Sequence, residues 1–340
     1  MTINLTTLDN ANRLLFAIPL KPLLGRRFQP TGFPSLGAAT FQTKDGTSLL
    51  VESAQSMANR LELTIWDETT NNLKPEFKGL SHVRVKRNGS FLTDTVLESH
   101  RLNSPYLLEG SDKTFFNALK TELGVMETEP IDRRKLARVL LKYDIGSLLH
   151  GVFLAKKDLA GGRLRVSRAI EAFIEAGRVN TAASGGVKND HVHPGKVKGD
   201  TKSNFGNIPF ARDEYVSDDI TLYTKIDLSQ IRGYGLGTDI ERLLILLALY
   251  KVRALLDGNL RLRTACDFSV VPAEIVATQP SEFNLPALSE LSADLQTSIT
   301  TCAGHMKVTE VIFDDKQEPI EENEKETDID QSIDEDNSGV

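Results

Sequence analysis

Thr47–Ile65, TSLLVESAQSMANRLELTI, changes its hydrophobic period halfway along. Thr47–Val51 is a short apolar run of strand character, and Ser53 then stands where an N-cap belongs, ahead of apolar residues at helical spacing. At 100° per residue Ala54, Met57, Ala58, Leu61 and Ile65 share one face of a helix running to about Ile65. Glu52, Gln55, Ser56, Asn59, Arg60 and Glu62 share the other, and only Leu63 breaks the division. That polar face is rich in amides and hydroxyls, to which Arg60 adds a fork of donors.

Upstream, the apolar part of Arg13–Leu24, LLFAIPLKPLL, predicts a buried strand ending at Pro22 or soon after. The basic turn Gly25-Arg26-Arg27 follows, and FQPTGFPSLGAA then packs two prolines and two glycines into twelve residues, which predicts a shaped loop. Downstream, the pattern predicts a strand at 82–86, helices near 112–123 with Ser111 as cap and near 131–143, and another helix over 165–176. The last rests on Val166, Ala169, Ile170, Phe173 and Ile174. Residues 177–207 lack apolar periodicity and predict a long irregular excursion or an extended hairpin. Ile220–Leu228 alternates as a strand, and Thr238 with Glu241 forms a capping-box pattern for a helix to about Asp257. Its run Leu243–Leu249 is apolar nearly all round, as in a helix buried against a sheet. A strand at 261–268, a helix over 285–302 and a last strand at 307–313 complete the pattern. From about residue 314 the chain is acidic and poor in large apolar groups, which predicts a disordered tail.

Composition excludes whole classes. The 340 residues are 40% hydrophobic and 26% charged, which suits a globular protein and neither a disordered nor a collagenous one. Two cysteines, Cys266 and Cys302, without a C-x-x-C spacing argue for a reducing, cytoplasmic setting and against a cysteine-built metal site. The N-terminus does not read as a signal peptide, and the longest apolar run, Leu243–Tyr250, is far below the ~20 residues that cross a bilayer. The net charge of −7 conceals a division. Residues 310–340 hold 13 Asp/Glu against Lys316 and Lys325, so residues 1–309 carry 38 basic and 34 acidic groups, a net +4. Within that body, residues 161–212 hold nine Lys/Arg against four acids, a candidate polyanion surface that includes Arg163, Arg165 and Arg168. A solvated basic loop is the plainer reading of the same charges.

Other constellations are weaker. Gly233-Tyr-Gly235-Leu-Gly237 fails the dinucleotide fingerprint because Thr238 stands where the last glycine should be, so it reads as a tight turn. Asp190-His191-Val192-His193 could hold a divalent metal or be a polar loop whose histidines meet phosphate or water; no third strong ligand is nearby. No nucleophile elbow, phosphate loop or H-E-x-x-H motif is present.

Seven ordered blocks, RRFQPTGFPSLGAA, LLVESAQSMANRLE, ESHRLNSPYL, SGGVKND, NIPFARDEY, RGYGLG and LRLRTACDF, together resemble one family: the backbone RAMP subunit of type I-U (I-G) CRISPR Cascade complexes. The resemblance spans residues 13–268 and implies an α+β fold. An RRM-like (ferredoxin-like) palm would fill residues 1–313, with a thumb near 177–207, a helical insertion near 99–155 and the acidic tail from 314. It implies binding without catalysis and without a cofactor, several copies polymerising along one CRISPR RNA, and pairing of the guide with a target DNA strand. Other Cascade subunits and a recruited helicase-nuclease are the further partners it implies; a membrane is not. Contacts to RNA carried over from the matching blocks are Arg26, Arg27, Gln29, Ser53, Gln55, Ser56, Asn59, Arg60 and Arg101, and the thumb adds Lys188, Lys196, Lys198 and Lys202. Such contacts would go to phosphate and 2′-hydroxyl, leaving bases free. Two rivals are a RAMP-type metal-dependent ribonuclease using Asp190, His191 and His193, and an RNA-binding protein unconnected with CRISPR.

Overall fold

The computed structural model describes residues 2–33, 37–124, 130–189, 191–192, 208–258 and 260–314. Its centre is a seven-stranded sheet in the order Leu260–Arg263, Cys266–Val270, Arg13–Pro22, Asp219–Asp227, Ile170–Gly177, Gly46–Glu52, Thr40–Thr43. Every neighbouring pair is antiparallel. Four successive members, Cys266–Val270, Arg13–Pro22, Asp219–Asp227 and Ile170–Gly177, stand as fourth, first, third and second of their set in chain order, with Arg13–Pro22 and Ile170–Gly177 pointing the same way on either side of Asp219–Asp227.

One face of this sheet is the core. Leu14, Phe16, Ile18 and Leu20 alternate inward from the first strand, and Leu222 and Ile226 do so from its partner. Helices Ala54–Leu63 and Thr238–Asp257 cover them, and Leu288–Cys302 packs along Thr238–Asp257. Leu243 to Leu249 is buried throughout, as its all-round apolar character required. Ser53 caps the first of these helices, its hydroxyl accepting from the Ser56 amide at 3.2 Å. A separate three-stranded sheet pairs His82–Arg87 with Ser90–Asp94 and, in parallel, with Val308–Ile312. The mixed α+β class follows.

Several expectations are corrected. Residues 165–176 are not a helix: Leu164–Val166 pairs with Val152–Leu154, and Ile170–Gly177 lies inside the main sheet. Ile170, Ala172, Ile174 and Ala176 point into the core, while Phe173 stacks on Tyr223 at 5.3 Å on the opposite face. Apolar groups on both faces disguised the period of two. The capping box does not form, because Gly237 is the N-cap and Glu241 accepts from Arg232 at 3.1 Å. Helix Thr114–Leu123 starts after Lys113 rather than at a Ser111 cap, and Asp112 takes the Thr114 amide at 2.8 Å. Within the shaped loop, Gly32–Phe33 pairs with Gly37–Ala38, and a Cβ at Gly32 would lie 2.9 Å from the Gly37 carbonyl oxygen.

Residues 177–207 resolve, over their described part, into the hairpin reading. Asn180–Lys188 pairs with Ile208–Val216 to make an arm rooted on Arg27–Phe28. Asp190, His193, Lys196, Lys198 and Lys202 lie outside the described residues, as does the chain from 315 onward. Among the described residues no helix is long and apolar enough to cross a membrane.

Candidate nucleic-acid interface

Helix Ala54–Leu63 buries Met57, Ala58 and Leu61, so its polar side divides in two. One part serves the fold. Glu52, at 0% exposure, accepts from the Ser56 hydroxyl, from Arg60 (3.4 Å) and from Arg263. Arg60 also donates to the carbonyls of Arg261, at 3.1 Å, and Leu262. A fully buried carboxylate is tolerated only when so completely paired. Ser53, Ser56 and Arg60 are thus engaged in joining strand, helix and the hairpin of residues 260–270.

The other part, Gln55 and Asn59, faces a cleft of about 1190 Å³. Its opposite walls come from residues 99–103, the start of helix Arg133–Tyr143, the hairpin Val152–Leu154/Leu164–Val166, and helix Leu228–Gly233. The cleft brings together Gln55, Asn59, Arg101, Arg163, Arg165 and Arg168 from three separate stretches of sequence. Arg168 donates to the Gln55 side-chain oxygen. Arg163 and Arg165 are exposed. One wall is held firmly: Gln230 donates to the Ser167 carbonyl and to the Tyr234 hydroxyl, both at 2.7 Å, and Tyr234 donates to the Leu148 carbonyl at 2.6 Å.

Arg101 is not an open contact. It is buried in the floor, with its guanidinium on Glu62. Burial raises the Glu62 pKa despite the opposing pull of Arg101. Behind the pair, Lys251 is 1% exposed with its Nζ 2.8 Å from His150 Nε2. Burial, with help from the Arg101 charge and against Glu62, brings the lysine down to about 8. His150 is pushed well below 6.5 by burial and by Lys251, Arg101 and Arg168, so it is neutral near pH 7. Glu62 is the sole carboxylate among the described lining residues, and it faces Arg101. Arg133 and Arg165 have no partner among the described residues, and Arg168 has only a neutral amide. The cleft is therefore cationic.

Arg26, Arg27, Gln29 and Lys188 stand elsewhere, at the root and along the arm. Arg27 reaches the buried Glu214 at 3.2 Å, which also takes Arg212 at 2.7 Å. Arg212 donates to the Gln29 side chain at 2.9 Å. Arg26 and Lys188 are exposed. Sequence reasoning missed Arg133, His100, Phe153 and Gln230, all of which line the cleft. Phe153 is 52% exposed at the cleft, an aromatic face of the kind that stacks on bases. A signal existed for it: three consecutive apolar residues in a short hairpin must put one outside. None existed for Arg133, which reads as a helix-surface charge.

Among the described residues no group of three or more His, Cys, Asp or Glu could hold a metal ion. Asp190 and His193 fall outside them.

The described residues thus form an α+β body with an arginine-lined cleft and a projecting arm. Residues 14–181 match the model of the family described as "CRISPR-associated protein GSU0053". Among solved structures, a chain of a "CRISPR RNA-guided surveillance complex, pre-nicking" is similar at 13% identity with a TM-score of 0.35, over 72% of this chain and 70% of that one. Csc2 of Thermofilum pendens is similar at 8% identity with a TM-score of 0.30, over 88% and 79%. No curated protein matches in sequence.

Proposed function

We propose that this protein is a non-catalytic backbone subunit of a type I CRISPR Cascade surveillance complex, with an RRM-like palm that holds CRISPR RNA. The observation that carries the reading is the cleft itself: guanidinium groups from residues 133, 163, 165 and 168 converge on one surface beside Gln55, Asn59 and an exposed phenylalanine. Cations for phosphate, amides for sugar hydroxyls and one aromatic face form a sequence-neutral set, as a subunit meeting a different spacer in each guide requires. The fourth-first-third-second order of those four successive strands, with the first and second parallel, supports the palm, since a split βαβ unit produces that order. The long arm rooted beside Arg27 and Gln29 supports a thumb.

On this reading several copies line one guide, contact one another and other Cascade subunits, and leave the bases free to pair with a target DNA strand. A helicase-nuclease recruited to the complex does the cutting in the cytoplasm, and this chain contributes no hydrolysis. Co-expression with a CRISPR array tests the reading. The purified protein should carry processed guide RNA in several copies per RNA, and Arg133→Ala/Arg165→Ala should lose that RNA while keeping its melting temperature. RNA-free protein from the array-bearing host would overturn the reading.

A further inference from the structure

The acidic segment at the C-terminus has no part in the reading above, yet it follows a strand whose end packs on Tyr106, three residues from the cleft-lining Asn103. After strand Val308–Ile312, the Phe313 ring sits edge-on to Tyr106 with centroids 5.2 Å apart and packs over Gly110. Tyr106 is three residues, at most about 11 Å of chain, beyond Asn103. Asn103 lines the cleft and accepts from the Ala155 amide at 2.9 Å. From that exit, residues 315–340 carry eleven Asp/Glu against Lys316 and Lys325, a net −9, and contain no arginine. Twenty-six residues reach on the order of 85 Å when extended, several times what the cleft demands.

We propose that residues 315–340 dock in the arginine cleft of their own chain, their carboxylates facing Arg133, Arg165 and Arg168, and thereby screen the cleft against non-guide polyanions. Charge complementarity favours this surface, because the lining's single described carboxylate is already turned to Arg101. Tethering places the carboxylates at an effective concentration in the millimolar range, enough to exclude weakly bound polyanions but not a guide held by many contacts. The docking stands on charge and exit geometry; only the competition with RNA rests on the function proposed above.

The test uses full-length protein in which the eleven Asp/Glu of 315–340 become Asn or Gln, together with a fluorescent 315–340 peptide. The peptide should bind the neutralised protein at about 50 mM salt, lose that binding on Arg133→Glu/Arg165→Glu, and release at several-fold higher salt as the Debye length shrinks. The neutralised protein should also bind an unstructured RNA roughly fivefold more tightly than wild type at low salt. Absence of peptide binding at low salt, or binding that survives the double charge reversal, would overturn the proposal. Peptide that binds in the cleft without displacing RNA would sustain the docking and remove the nucleic-acid reading of the cleft instead.

Discussion

Lys251 concentrates the energetics of the site in one residue. It lies in the otherwise apolar run of helix Thr238–Asp257, and its nearest polar partner is a neutral histidine. Taking an ammonium out of water costs free energy, and the lowered pKa of about 8 expresses that cost. The unfolded lysine holds its proton up to about 10.5, so between those values the unfolded chain binds more protons and this group's contribution to stability rises with pH. Below 8 the penalty is complete. Lys251→Met removes the titration, so the stability of the variant relative to wild type should fall by about 2 kcal/mol between pH 7.5 and 9.5. Chemical denaturation at the two pH values measures it, and a difference constant with pH would show that Lys251 does not titrate there. Arg101 teaches the complementary lesson. A sequence reading sees an arginine in a matching block, but only the fold reveals that Glu62, from the polar side of another helix, has claimed it. Removing one member of a buried pair typically costs about 3–5 kcal/mol, so Arg101→Ala should unfold the protein before it informs on binding, whereas exposed Arg165→Ala should leave the melting temperature unchanged. Thermal melts of the two variants separate these outcomes.

At the scale of elements, the legible parts were apolar runs of strand length and segments with one apolar and one polar face. Arg13–Pro22, Gly46–Glu52, Asp219–Asp227 and the helix after Ser53 stand where the pattern placed them. Ile170–Gly177 was illegible because a central strand with a stacked aromatic pair outside and small alanines inside shows no clean alternation, and its apolar residues also fit a helical wheel. The cleft was half legible for a similar reason. Its arginines stand out as charges, yet nothing in the chain states that residues 55–59, 99–103, 133 and 163–168 meet, since tertiary pairing alone joins them. The strand assignment has a consequence in energy. Ile174 is fully buried between neighbouring strands, so Ile174→Ala should cost about 2–5 kcal/mol, while Glu175→Ala on the outward face should cost about 0.5 kcal/mol or less. Urea denaturation of both variants measures the contrast, and equal costs would contradict the alternation.

For the whole molecule, a sequence pI near 5.5 argues on its face against a polyanion partner, and the resolution is spatial. Acid is gathered after residue 310, whereas the cleft gathers arginine and buries its one described carboxylate against Arg101. Binding should then respond to salt as the cleft and not as the net charge dictates. Each phosphate neutralised on a single strand adds about 0.7 to the slope of log affinity against log salt, because a condensed counterion is released. Arg133→Ala/Arg165→Ala removes two exposed cations that have no partner among the described residues, so the slope should fall by about 1.4, with affinity weakened to a similar degree for unrelated RNA sequences. Fluorescence anisotropy across a salt series on two unrelated single-stranded RNAs measures both quantities. An unchanged slope would place the phosphates elsewhere, with the arm and its Lys188 the next surface to alter. A loss confined to one RNA sequence would mean that the two arginines read bases, contrary to the function proposed above.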